Sequence, residues 1–294
     1  IVVGAPTKNP VVDGKDLYNS AYFLYAGEVR HVQHKALLPT YDIFDEYRYF
    51  EPATEFNLIE FKGKKIALTI CEDLWNEEEF HLYTAHPMEE LMKQKPDLMV
   101  NIAASPFATN HDETRKQVLI KNASKYGLPL VYVNHVGAQT ELIFDGNSTV
   151  INSNGKVTTQ LSQFKEDFAT VHLFEKEFSN VDFQETKTSK IEKVHAALIL
   201  GVKDYFEKSG FKKAVLGMSG GIDSAVTLAL AAEALGAENV KAVMMPSQFS
   251  SDHSVNDSKK MIENLGCKSA LLPIEQSFQS FQETLKHEFE GTEF

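Results

Sequence analysis

Ala214-Val-Leu-Gly-Met-Ser-Gly-Gly-Ile-Asp-Ser224 is the stretch that settles the architecture of the second half of the chain. Its apolar start reads as a strand over Ala214-Gly217, and the apolar run from Ser224 to Leu235 reads as the helix that follows. Between them, Gly220 and Gly221 let the backbone take positive φ and come close to a bound group, and the free N–H groups of the new helix point at the same place. Ser219 and Ser224 add hydroxyl donors. The loop lacks the Gly-Lys-Ser/Thr of a Walker A site and the Gly-x-Gly-x-x-Gly of a dinucleotide site. It predicts an anion site of another kind, set between a strand and a helix.

Working outward, the same alternation continues. An amphipathic helix from Lys190 to Lys208, closed by Gly210, precedes the loop. Strand Val240-Met245, helix Ser254-Leu265 and strand Ala270-Pro273 come after it. Strands alternating with helices predict a parallel, doubly wound sheet. Upstream, the pattern is richer in strands: Ile1-Pro6, read as a buried strand ending at a Gly/Pro turn, then Tyr22-Tyr25, Val29-Gln33, Phe56-Phe61, Ile66-Ile70, Leu98-Ala103, Leu130-Asn134 and Val150-Asn152. Helices are expected over Pro87-Gln94 and Asp112-Tyr126, the latter with acids at its start and Gly127 at its stop. A polar stretch, residues 176–189, reads as a linker between a first domain over 1–175 and a second over 190–294.

Composition limits what such a chain can be. The 294 residues are enough for two domains, and 43% hydrophobic content gives each a core. With 29 basic against 41 acidic residues the net charge is -12, and Arg30, Arg48 and Arg115 supply the guanidinium groups. Phosphate-backbone binding needs clustered Lys and Arg, so no nucleic-acid partner is expected. No apolar run approaches the ~20 residues that span a bilayer, so no membrane partner is expected either. Cys71 and Cys267 sit in unrelated contexts, which fits neither a disulfide framework nor a metal cluster and suits a reducing cytoplasm.

Lys65-Ile-Ala-Leu-Thr-Ile-Cys71-Glu72-Asp73-Leu74-Trp75 is an apolar strand that stops at a cysteine followed by acids. A nucleophile can be displayed at the carboxyl end of such a strand. A small buried hydrophobe is the other fate of a free cysteine at this place.

Three segments carry a family resemblance. His34-Lys-Ala-Leu-Leu-Pro-Thr-Tyr41-Asp-Ile-Phe44-Asp-Glu46-Tyr-Arg48-Tyr-Phe50 closely resembles the Lys-x-x-Leu-Pro-x-Tyr-x-x-Phe-x-Glu-x-Arg-Tyr-Phe stretch of nitrilase-type glutaminases in bacterial NAD synthetases. Val133-Asn-His-Val-Gly-Ala-Gln-Thr-Glu-Leu-Ile-Phe-Asp-Gly-Asn-Ser148 is similar to a second segment of that family, with Ala138 in place of a glycine. The glycine loop resembles the Ser-Gly-Gly-x-Asp-Ser signature of ATP pyrophosphatases, and Ala196-Tyr205 with Met245-Pro-Ser247 extends the likeness to NAD synthetases.

The resemblance implies a nitrilase-like α-β-β-α sandwich followed by part of a doubly wound, adenine nucleotide alpha hydrolase-like α/β domain. It implies that Cys71 attacks the amide of glutamine while Lys35 stabilises thiolate and oxyanion, and that the family's catalytic carboxylate lies upstream of Ile1; neither Glu28 nor Glu46 is appointed to that role. It places Tyr41, Glu72, Trp75 and Ser105 in the glutamine pocket, with His111 where the family has Lys or Arg. It places ATP, as its magnesium complex, on Gly217, Met218, Ser219, Gly220, Gly221, Ile222, Asp223 and Ser224, with no prosthetic group. The implied reaction activates the carboxylate of deamido-NAD as an adenylate and displaces AMP with ammonia from glutamine. Free ammonia is mostly protonated in neutral water, so an enclosed route from Cys71 to the adenylate is expected. A homo-oligomer built through the synthetase part is the family's habit. Another amidase-coupled ATP pyrophosphatase, or a silent binding fragment of one, stays open as an alternative.

Overall fold

The computed structural model describes residues 1–75, 82–179 and 188–292. The chain divides into two compact units, one of Ile1–Gly137 with Leu142–Lys193 and one of Ala138–Glu141 with Val194–Phe294. Residues 180–187, most of the expected linker, fall outside the described residues.

In the first unit the elements in order are β1 (Val2–Lys8), β2 (Leu17–Tyr25), β3 (Glu28–His34), β4 (Ile59–Phe61), β5 (Lys64–Ile70), α1 (Pro87–Met92), β6 (Leu98–Ala103), α2 (His111–Tyr126), β7 (Leu130–Asn134), β8 (Val136–Gln139, of which Val136 and Gly137 belong to this unit), β9 (Leu142–Asp145), β10 (Thr149–Ile151), β11 (Val157–Gln160), and the short pair β12 (Leu173–Phe174) and β13 (Glu177–Phe178). β1, β2 and β3 form a small antiparallel sheet, while a larger mixed sheet runs β11-β10-β7-β6-β5-β4, with β5, β6 and β7 parallel at its centre. Both faces of β5 are covered, which is why Ile66–Ile70 reads as almost unbroken apolar sequence. One face packs Leu68 and Ile70 against Ala21 and Phe23 of the small sheet. The other packs Ala67 and Met99 against Met88 and Leu91 of α1 and Leu119 and Ala123 of α2. Helices, large sheet and small sheet thus give the α, β and β layers of the sandwich.

Two expectations need correction. β1 is a strand, but an exposed edge strand rather than a buried one, paired on one side to β2 alone. It runs through Gly4 and Pro6 instead of turning there, since an edge position tolerates the missing N–H of Pro6, which lies opposite Asn19. The strand expected over Phe56-Phe61 is confined to Ile59–Phe61, because Gln94 caps the preceding segment, accepting from Leu58 N–H and donating to Phe56 O.

α2 ends as its sequence predicts: Gly127 takes φ 59°, and its N–H reaches back to Ala123 O and Ser124 O. On its buried side, Arg115 forms a 2.6 Å ion pair with Asp145 and donates to Ser105 Oγ at 3.3 Å. The two side chains are 2% and 0% exposed, so removing one leaves the other charge buried and unpaired. Arg115→Ala is therefore expected to lower unfolding free energy by about 3–5 kcal/mol, and a change under ~1 kcal/mol in urea unfolding would count against this account of the pair.

The second unit holds α3 (Lys190–Ser209) from Val194 onward, β14 (Ala214–Gly217), α4 (Ile222–Leu235), β15 (Val240–Met244), α5 (Asp252–Leu265), β16 (Lys268–Leu271) and α6 (Glu275–Leu285). The three strands are parallel and lie in sequence order β14-β15-β16, so the described residues wind in one direction. Right-handed crossovers then place α4 and α5 on one face, where Leu228 and Ile262 share a core with Val240, Ala242 and Met244. Helix α6 was not expected from the sequence.

Candidate functional site

Cys71 stands at the carboxyl end of β5, where the strand breaks into a single 3-10 turn over Cys71–Leu74. Its φ of +42° is left-handed, a conformation that costs a non-glycine residue of order 1–2 kcal/mol and is seen where a fold holds a side chain out of the regular strand path. The thiol opens on a cavity of about 480 Å³ whose walls include Lys35, Phe44, Glu46, Asn134 and His135. Asn101, fully buried on β6, donates to Cys71 O at 3.3 Å and to Thr69 Oγ1 at 3.0 Å, bracing the turn from beneath.

Lys35 follows β3 and is 1% exposed. Its ammonium donates to Glu46 Oε1 at 2.7 Å, and the other oxygen of Glu46 accepts from Asn19 Nδ2 at 3.1 Å. Burial works against the charged lysine, but Cys71 and Glu46 outweigh it and the pKa moves up. Glu46 therefore holds Lys35 protonated and aimed into the cavity. Both its oxygens are engaged, which is the arrangement of an orienting group rather than of a base waiting for a proton. Glu28 instead pairs with Arg30 on the surface. Burial pushes the Cys71 thiol up to about 11; Lys35 pulls it down, while Glu72, Glu46 and Asp73 push it further up. At neutral pH the resting thiol is protonated, and any ligand that brings a positive charge beside these carboxylates favours the thiolate.

The residues expected around glutamine form two groups. Glu72 Oε1 accepts from Tyr41 Oη at 2.8 Å and from Tyr83 Oη at 3.1 Å, so one carboxylate oxygen is fixed by two phenols. Trp75 stacks on His111 with ring centroids 5.3 Å apart, and His111 Nδ1 donates to Pro106 O. Ser105 is buried, its N–H donating to Asn134 Oδ1 at 2.8 Å and its hydroxyl accepting from Arg115. Ala104 and Asn134, not Ser105, are on the cavity wall.

Asp73 completes the centre. It is 5% exposed, and burial raises its carboxyl to about 6 despite three backbone N–H donors. Because the folded value lies above the ordinary aspartate value of 3.8, the native state binds the proton more tightly than the unfolded chain. Stability then falls as pH rises from about 4 to about 6 and is level above, by about 3 kcal/mol for this group alone. Urea unfolding of wild type against Asp73→Asn across that window should show the wild-type slope flattened in the variant, whereas parallel curves would contradict it.

In the second unit, Met218–Gly221 is a short loop between the end of β14 and α4, exposed at Ser219 and Gly221 and buried at Met218. Gly220 takes φ +83°, and a Cβ there would sit 2.4 Å from Ser254 O. Gly221 is the N-cap of α4 and no side chain caps the helix, so its first N–H groups face outward. Ser219 Oγ accepts from Gly221 N–H at 3.3 Å and lies 3.1 Å from Ser224 Oγ, shaping the turn from within. Met218 N–H donates to Val243 O, while Asp223 is in the first helical turn. Cavities of about 160 and 350 Å³ flank the loop; both touch Ser258, whose buried hydroxyl has no partner among the described residues. No group of three or more His, Cys, Asp or Glu among the described residues could hold a metal ion, and no described helix is long and apolar enough to cross a membrane.

Sequence reading missed Glu46 as the partner of Lys35, and also Asn19, Tyr83, Asn101 and Asp73. Glu46 lay inside the quoted motif, but the motif does not show that its carboxylate folds back onto Lys35.

A cysteine on a left-handed strand end, sharing a cavity with a buried lysine held by a glutamate, defines a thiol centre on an α/β sandwich, joined in one chain to a parallel sheet with a glycine loop between strand and helix. The chain belongs to the carbon-nitrogen hydrolase family, whose model matches residues 1–178; the NAD synthase model matches residues 194–293. Among curated relatives it is 41% identical over 288 residues to the glutamine-dependent NAD(+) synthetase of Synechocystis, covering 95% of this chain and 51% of the relative. It is 36% identical to that of Thermotoga maritima, covering 95% of this chain and 53% of the relative. The solved glutamine-dependent NAD+ synthetase of Acinetobacter baumannii, in complex with ADP, superposes with a TM-score of 0.90 at 35% identity, over 100% of this chain and 54% of that one. The chain spans about half the length of the curated relatives it matches.

Proposed function

We propose that the chain carries the glutamine-hydrolysing centre and the ATP loop of a glutamine-dependent NAD synthetase. The observation that carries the reading is the placement of Cys71, Lys35 and Glu46 on one cavity, in a chain whose second unit supplies a phosphate-type loop and matches the NAD synthase family.

Glutamine enters with its ammonium group beside Glu72, whose Oε1 is already held by Tyr41 and Tyr83, and its carboxylate toward Trp75 and His111, while Ser105, buried off the cavity wall, acts through the Arg115 and Asn134 it binds. The added positive charge offsets one of the carboxylates that keep the Cys71 thiol protonated. Once the thiol proton passes to a carboxylate base, sulfur attacks the side-chain amide carbon, and the oxyanion that forms is stabilised by the Lys35 ammonium. The C–N bond then breaks, nitrogen leaves as ammonia with a proton, and the γ-glutamyl thioester is hydrolysed by water to glutamate. At the other centre the stretch Gly217, Met218, Ser219, Gly220, Gly221, Ile222, Asp223 and Ser224 would hold the phosphates of magnesium-bound ATP through the uncapped N–H groups at the start of α4 and the two serine hydroxyls, with Met218 N–H kept by Val243 O. The carboxylate of deamido-NAD attacks the α-phosphate, pyrophosphate leaves, and ammonia displaces AMP to give NAD.

The test is product analysis with the full-length protein, ATP, magnesium and glutamine, offering deamido-NAD beside other carboxylates. NAD formed with stoichiometric AMP and pyrophosphate is expected. Amidation of another acid in its place would assign the chain to a different amidase-coupled ATP pyrophosphatase, and no amide product at all would leave a binding fragment.

A further inference from the structure

We propose that Asp73 is a positioning residue that sets the spacing between the Cys71 thiol and the Lys35 ammonium by clamping the backbone beside each; the inference rests on the thiol-amidase reading above.

One oxygen of Asp73 accepts from Ile70 N–H at 3.0 Å, the residue directly before the nucleophile. The other accepts from Ala36 N–H and Leu37 N–H, both at 3.0 Å, the two residues directly after the lysine. Three backbone donors thus converge on one carboxylate, itself 5% exposed and two residues past Cys71. The segments it joins come from different layers: Ile70 ends β5 of the large sheet, while Lys35 follows β3 of the small one. The one backbone bond that Lys35 N–H makes runs to Asn19 O, within the small sheet. Asp73 ties that sheet's end, through backbone N–H groups, to the turn that bears the thiol.

The bond to Ile70 also closes a short ring around Cys71, whose left-handed φ has to be enforced by its surroundings. A carboxylate is the side chain suited to this, because it offers an acceptor to each side of the gap. An amide has a single acceptor oxygen: if it serves Ala36 and Leu37, its NH2 faces the N–H of Ile70, donor against donor. A bond-length of drift between two reacting groups costs roughly 100-fold in rate. The clamp therefore acts on turnover and not on glutamine recognition, which lies with Glu72 and its tyrosines.

The experiment uses the full-length protein with Asp73→Asn and Asp73→Glu, the second keeping the charge but moving it by one methylene. Readouts are glutamine kcat and KM, NAD formation from ammonium, and the rate of Cys71 alkylation by iodoacetamide. Expected for both variants is a kcat loss of roughly 30- to 100-fold, with KM and ammonium-driven synthesis within about threefold of wild type, and Cys71 alkylation slowed or its pH profile displaced. Glutamine turnover within about threefold of wild type in either variant overturns the clamp. So does a parallel fall of all readouts with a lowered melting temperature, which would make Asp73 a fold residue alone. If Asp73→Asn does not fold, Asp73→Glu decides by the same criteria. If wild type does not hydrolyse glutamine, the functional reading fails separately, and an unchanged Cys71 alkylation profile in the variants still overturns the clamp.

Discussion

Cys71→Ala in the full-length protein is expected to lower glutamine-driven NAD formation by about 10³-fold or more while leaving ammonium-driven formation within about twofold of wild type. The asymmetry follows from where the thiol stands. Cys71 is the one thiol among the described residues on the cavity shared with Lys35, and its backbone is held at φ +42°, so alanine at the same backbone removes the sulfur with little other change. The Gly217–Ser224 segment is shaped by its own hydrogen bonds, Gly221 N–H to Ser219 Oγ and Ser224 Oγ to Gly221 O. Equal loss from both nitrogen sources would show that Cys71 serves folding and not ammonia release.

Gly220→Ala is expected to have the opposite signature, with ammonium-driven synthesis falling roughly 100-fold or more and ATP-independent glutamine hydrolysis within about threefold of wild type. At φ +83° a Cβ is strained, and the one built there lies 2.4 Å from Ser254 O and 2.6 Å from Ser254 Cα. These are backbone atoms in the first turn of α5, which a side-chain rotation cannot relieve, so the loop or the helix has to shift. Gly221→Ala is the control: its Cβ meets Ser219 Oγ at 3.4 Å and nothing closer, so a loss under about fivefold is expected there. Comparable losses in the two variants would contradict the argument from Ser254.

The loop was legible because its strand, glycines and helix are contiguous, so local propensity and site chemistry fall in one window. At Cys71 the apolar run showed where the strand ends but left a buried hydrophobe open, and it was the resemblance carried by the Lys35 segment that pointed to a nucleophile. What escaped was long-range pairing. Lys35 with Glu46, and Asp73 with Ala36 and Leu37, are brought together by sheet packing that no periodicity encodes. β1 looked like a core strand because apolar content says what can be buried, not on which side of a sheet a strand pairs. Helix α6 was not placed as an element because Ile274 at its N-cap makes no side-chain cap, although Phe278 and Phe281 have helical spacing and Glu275 stands in the first turn.

The most direct measurement supplies the full-length protein with deamido-NAD, magnesium-ATP and glutamine labelled at its amide nitrogen, in the presence of unlabelled ammonium, and follows the label into the amide of NAD. The account predicts labelled NAD from wild type and unlabelled NAD from Cys71→Ala. Labelled NAD from the variant would remove Cys71 from ammonia release, and no NAD from wild type with either nitrogen source would contradict the joining of the two activities in this protein.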